Sequence, residues 1–210
     1  MTSIMDSLRT LTAEHHRRAE QQPLEQALAR GVLPKDVYIN MLEQRYCAHR
    51  VLDRNVADLC DRDIRLNGLV HGELLQWERL EADLLHFGVR AVDVEPLAAT
   101  AALCADLGTA ATDQPAALLG YYYVTEGSKN GAAFLAPRVR AAYGLSGDDG
   151  TRYMNPHGPR QRELWAAFRD RMNAVPFSAT EREHIITAAQ RMFDAISETD
   201  AALFDGAAVG

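Results

Sequence analysis

Apolar residues recur at three- and four-residue intervals along almost the whole of this chain, with no set of alternating apolar and polar runs that would read as strands. That period buries one face of each of several helices. The expected fold class is therefore all-α, a single-domain multi-helix bundle over residues 1–210, because no repeat, linker or low-complexity tract divides the sequence. With 47% hydrophobic and 24% charged residues in 210, there is material for one sizeable core.

The spacing predicts a first helix from about Ser3 to Gln21 with Ile4, Leu8 and Leu11 on one face, and a second from Pro34, a favoured first-turn residue, to Asp61. Glu73–Phe87, closed by Gly88, and Val94–Leu107 follow. Asp113 is placed to cap a long helix reaching Tyr143, with Gly120, Gly127, Gly131 and Pro137 inside it, so a kink or break is expected there. The turn-rich segment Gly144–Pro159 precedes helices at Arg160–Ala174 and Ser178–Phe204, the latter opened by Ser178 and Glu181 as a capping box.

Composition excludes several function classes. No apolar run approaches the roughly 20 residues that span a bilayer, and Met1–Glu20 reads as an amphipathic helix rather than a signal peptide, so a cytoplasmic location is expected. A net charge of −7 lacks the basic footprint that nucleic acids or anionic membranes require. Cys47, Cys60 and Cys104 show no metal-ligand spacing. On one helix Cys47 and Cys60 stand roughly 20 Å apart, so reduced thiols are expected.

Two segments carry the chemistry. Gly127 and Gly131 are four residues apart, hence on one helix face. Each costs about 1 kcal/mol relative to alanine in a helix interior. Either another helix approaches closely or a flat ligand lies against bare backbone, and spacing does not choose between them. Near the N-terminus, His15 and His16 offer imidazoles, and Glu20 lies one turn after His16, placed to orient its ring. His15 rather than His16 continues the stripe of Leu8 and Leu11, so either is a candidate iron ligand.

Together these segments resemble the haem oxygenase family of the bacterial, biliverdin-producing type. The first helix matches at Leu8-Arg9, His16 and Arg18-Ala19-Glu20; the later one matches at Tyr123-Val124, Glu126-Gly127-Ser128 and Gly131-Ala132-Ala133-Phe134. The likeness extends to Phe168–Asn173 and to the last helix around Phe193. The resemblance implies a haem-oxygenase-like bundle with a kinked, glycine-containing distal helix. It implies haem as both cofactor and substrate, cleaved with O2 and an electron donor of the ferredoxin or flavodoxin-reductase kind to biliverdin, CO and ferrous iron. His16 would be the metal ligand, with Glu20 beside it. Arg9, Tyr123 and Arg169 would hold the propionates, Phe193 would pack on the macrocycle edge, Gly127, Ser128 and Gly131 would form the distal wall, and Asn130 would join Ser128 in holding water.

The chain departs from that pattern at Lys129-Asn130, where bacterial members commonly have Asn-Leu, and at Trp165, where some members carry a basic residue. The Lys129-Asn130 departure motivates an alternative, a haem carrier or sensor without turnover. Glu181-x-x-His184 hints at a di-iron carboxylate site, but one such motif is insufficient. No cysteine and carboxylate set for a thiaminase-like enzyme stands out. His49, His71, His86, His157 and His184 read as surface or helix-end residues, Arg138-Val139-Arg140 as a solvated face, and Trp77 and Trp165 as core or interface aromatics.

Overall fold

The computed structural model describes residues 2–70 and 72–207, so His71 lies outside the described residues. Ten α-helices and no strand occur among them: α1 Ile4–Leu11, α2 Ala13–Glu20, α3 Pro23–Arg30, α4 Lys35–Cys60, α5 Ile64–Leu69, α6 Trp77–His86, α7 Ala98–Asp113, α8 Leu118–Tyr143, α9 Gln161–Ala174 and α10 Ala179–Ala207.

The expected first helix is two helices, because it breaks at Thr12. The Thr12 hydroxyl donates back to the Leu8 carbonyl at 2.8 Å, and the residue departs from helical dihedrals at φ −102°, ψ −2°. Such back-bonding bends helices, and here it turns α2 onto α10. The sequence expectation also omitted α3, although Pro23 at its first turn and left-handed Gly31 (φ 71°) after its end bracket it, and α5, which Asp63 caps by accepting from the Arg65 N–H at 2.9 Å. Asp113 ends α7 rather than capping α8, and Pro115–Ala117 forms a 3-10 turn between them. α6 begins at Trp77 rather than Glu73, with only a 3-10 turn at Gly72–Leu74, and α7 begins at Ala98, past Pro96. The Ser178–Glu181 capping box is present, with reciprocal bonds of 2.8 and 3.2 Å.

Of the kink or break expected in the glycine-rich helix, no break occurs: α8 runs continuously over 26 residues with Pro137 inside it. Proline has no N–H to give the carbonyl four residues back, the usual local cause of a bend. The three long helices serve both halves of the core. Leu52 and Val56 of α4, Leu118 to Val124 of α8 and Ile185 to Ala195 of α10 meet around Leu8 and Phe168. Tyr38 and Met41 of α4, Ala136 and Val139 of α8 and Leu203 of α10 meet around Leu24 and Leu80. α8 and α10 cross closely at Gly120, where an added Cβ would stand 2.0 Å from the Ile185 carbonyl oxygen of α10. Close helix approach is thus the reason for that glycine.

α4 turns a polar stripe inward. Arg45 binds Asp200 of α10 at 2.7 and 3.1 Å, His49 meets the Tyr153 hydroxyl at 3.2 Å, and Asp53 accepts from the Tyr122 hydroxyl and the Gln76 and Trp77 N–H groups at 2.5, 2.7 and 3.1 Å. Asp53 therefore closes the start of α6 from another helix. The expectation that His49 and His157 are surface residues is corrected: their side chains are buried, because the Gly144–Pro159 segment folds back over α4 and α8.

Candidate functional site

The break at Thr12 decides which histidine is committed. His15 is bound to Asp194 of α10 at 2.8 Å, and Arg18 grips the same carboxylate at 2.7 Å. His16, one residue on, is half exposed and lies edge-on to Phe193 with ring centroids 5.4 Å apart and planes at 86°. Its Nδ1 is 3.5 Å from the Glu20 carboxylate, an orienting contact longer than a good hydrogen bond. Among the described residues no hydrogen bond engages its Nε2. An imidazole braced at Nδ1 with Nε2 available is the arrangement a metal-ligating histidine needs.

The three residues expected to hold acidic groups share one neighbourhood. Tyr123, half-buried on α8, has its phenol pushed up by burial, while the Thr12 hydroxyl and the Arg9 and Arg169 guanidiniums pull the other way. Arg9 is exposed and otherwise meets only Asp6, at 3.5 Å. Tyr123 on α8 thus lies within electrostatic reach of Arg9 on α1 and Arg169 on α9.

Along α8 the expected wall residues differ in exposure and in what they meet. Ser128 and Gly131 are exposed, as is Phe134. A Cβ on Gly131 would meet nothing within 4 Å, whereas one on Gly127 would lie at ordinary contact, 3.5 Å from the Trp165 indole of α9. Neither glycine is demanded by a helix crossing, in contrast to Gly120. The Ser128 hydroxyl donates to the Thr125 carbonyl at 2.9 Å. Asn130 gives its amide to the Gly127 carbonyl at 3.0 Å and accepts from Gln161 at 3.3 Å, so it ties α9 to α8 beside the first glycine.

Lys129 does not join this face. It is buried with Glu126, and its ammonium also lies 3.3 Å from the Leu74 carbonyl and 3.4 Å from His157. Burial pulls the Lys129 ammonium below its ordinary value against the opposing carboxylate, while, despite burial, His157 and Lys129 hold Glu126 below its own. The charge that the sequence placed near the wall is spent behind it. Among the described residues no group of three His, Cys, Asp or Glu side chains could hold a metal ion, which leaves the Glu181-x-x-His184 idea without support, and Glu181 is engaged by Arg65 and its cap.

Sequence reasoning missed two features here. Trp165 lies over Gly127, a contact between distant segments that periodicity does not encode. Thr12 breaks the first helix, a signal carried only by its β-hydroxyl. Two surface hollows of about 460 and 480 Å³, lined by α6 and loop residues including Arg79 and Arg152, share none of the residues above.

A half-exposed imidazole, bare helix backbone and cationic side chains on an all-helical scaffold are residue types that would suit a haem. Comparison with known proteins gives the family. The chain belongs to the haem oxygenase family: the family model described as heme oxygenase matches residues 2–199. No curated protein matches it. Among solved structures, heme oxygenase-2 from Synechocystis sp. PCC 6803 in complex with heme and NO is 22% identical, with a TM-score of 0.91, 100% of this chain and 89% of that chain covered. Heme oxygenase from Leptospira interrogans is 22% identical at a TM-score of 0.88, covering 96% of this chain and 100% of that chain. The fold is shared more widely: a TenA homologue protein from P. horikoshii OT3 is 17% identical at a TM-score of 0.61, with 98% of each chain covered.

Proposed function

We propose that this chain is a haem oxygenase, acting as one domain over residues 1–210, that converts haem, O2 and reducing equivalents to biliverdin, CO and ferrous iron. The observation that carries the reading is the family match over residues 2–199, and the feature of the site that fits it is Gly131, a helix-interior glycine whose missing side chain serves no packing within the protein. A flat ligand against the backbone gives that absence a reason.

His16 would hold the iron through Nε2, with Glu20 and Phe193 fixing the ring. Arg9, Tyr123 and Arg169 would bind the two propionates and so fix the macrocycle in its plane. Ser128 and Gly131 would form the opposite wall, with the Trp165 indole standing over Gly127, and Ser128 is an exposed residue whose hydroxyl oxygen can hold a proton-bearing water. Asn130 supports that wall by binding the Gly127 carbonyl. The bound iron porphyrin supplies the oxygen chemistry and is itself the substrate consumed. The electron donor would be a ferredoxin- or flavodoxin-type reductase, and the site of action the cytoplasm; no described helix is long and apolar enough to cross a membrane.

Of the two residues that motivate the carrier alternative, Lys129 is buried with Glu126, and Asn130 is tied to the Gly127 carbonyl. Purified protein given haemin, a reductant and air decides between enzyme and carrier: release of a biliverdin-like absorber supports the enzyme, and a persistent ferrous haem complex contradicts it.

A further inference from the structure

Gly127 and Gly131 lie one turn apart on the same face of α8, yet their surroundings differ. A Cβ on Gly131 would touch nothing within 4 Å, whereas one on Gly127 would stand 3.5 Å from Cη2 of Trp165 and 4.0 Å from its Cζ2 and Cζ3. The six-membered edge of the indole therefore covers the backbone at Gly127. That ring has two aromatic neighbours. It stacks on fully buried Phe168 with centroids 5.8 Å apart and planes at 17°, and it lies 5.9 Å from the Tyr123 ring, tilted by 42°. Aromatic neighbours held this way resist rotation of the ring between them.

A flat macrocycle cannot use backbone surface that an indole edge already covers. Resting on the haem reading above, we propose that Trp165 is a positioning residue that sets where along α8 the macrocycle sits. The ring lies on bare backbone at Gly131 and abuts the indole at Gly127, so the wall at the first glycine is a side chain from α9. The macrocycle is thereby held towards the Gly131 end of the face, where Phe134 is 73% exposed and available to cover it.

The two glycines report this directly. Haemin titrations followed at the Soret band compare Gly127→Ala and Gly131→Ala, with thermal melts as folding controls. Gly131→Ala is expected to lower affinity at least about tenfold and Gly127→Ala less than about threefold. In a Trp165→Ala background, where the macrocycle can slide onto the first glycine, Gly127→Ala then also lowers affinity. The haem-methyl proton resonances of the low-spin cyanide complex read the in-plane seating. Trp165→Ala shifts their pattern, and Trp165→Phe, which keeps a flat ring, shifts it less. Should Trp165→Ala fail to fold, Trp165→Leu makes the same comparison. Equal losses at the two glycines, or a methyl pattern unchanged without the indole, overturn the proposal and leave the haem reading standing. Failure of the unsubstituted chain to bind haemin overturns both.

Discussion

Replacing Gly131 by alanine sets folding and ligand binding against each other. The residue lies inside α8, has no positive φ, and its added methyl would meet nothing within 4 Å. The helix should therefore gain the ordinary alanine advantage of about 1 kcal/mol, which in a chain of this length raises Tm by about 2–4 °C. The same methyl would stand on the surface assigned to the macrocycle, so haemin affinity should fall at least about tenfold, or roughly 1.4 kcal/mol. A thermal melt without haem and a Soret titration on the same preparation measure both. A lowered Tm would mean that the glycine serves packing after all. Unchanged affinity would mean that no ligand uses this backbone.

Gly120→Ala should do the opposite, destabilising by about 3 kcal/mol because the Cβ would lie 2.0 Å from the Ile185 carbonyl; a denaturant midpoint close to that of the parent would contradict it. Lys129→Met should cost about 3 kcal/mol by leaving the buried Glu126 carboxylate with only His157 beside it, and the Glu126→Gln, Lys129→Met pair should recover most of it in the same unfolding assay. His49 is held down to about 4 by burial, with Asp53 opposing. Its neutral form therefore adds stability that is complete above the unfolded value of about 6.5 and drains, by up to about 3 kcal/mol, as pH falls towards 4. Glu25, pushed up to about 7 by burial and Asp200, and Asp83, pushed up to about 6 by burial, act in the other direction, adding stability as pH falls. Because both remain in His49→Gln, the stability difference between parent and variant should narrow only from about pH 6.5 downward; a pH-independent difference would refute the assignment.

Much of this was legible in residue order. The capping box at Ser178, the long helix from Pro34 and the turn-rich stretch after Gly144 are local signals, and local physics sets them. The choice of His16, Tyr123 and the two glycines as candidates came from the resemblance in their pattern, while the side chains packed around them came from folding. Lys129 reads as a charge beside Gly127 and Gly131, yet it is two residues from each, about 200° around the helix at about 100° per residue, and so faces nearly the opposite side. His49 and His157 read as surface residues because nothing in their own segments announces the carboxylates, tyrosine and lysine that distant elements bring to them. Trp165 reads as a generic core aromatic for the same reason. His15 and His16 differ in their engagements because α2 starts anew after Thr12: His15 meets Asp194 of α10, whereas His16 faces Glu20 and Phe193.

Which imidazole takes the iron tests the account most directly. Haemin spectra of the parent, His15→Ala and His16→Ala proteins, recorded in the ferric and reduced states, should show histidine-ligated haem in the first two and its loss in the third. Persistence of that spectrum in His16→Ala, or its loss in His15→Ala alone, would contradict the site described.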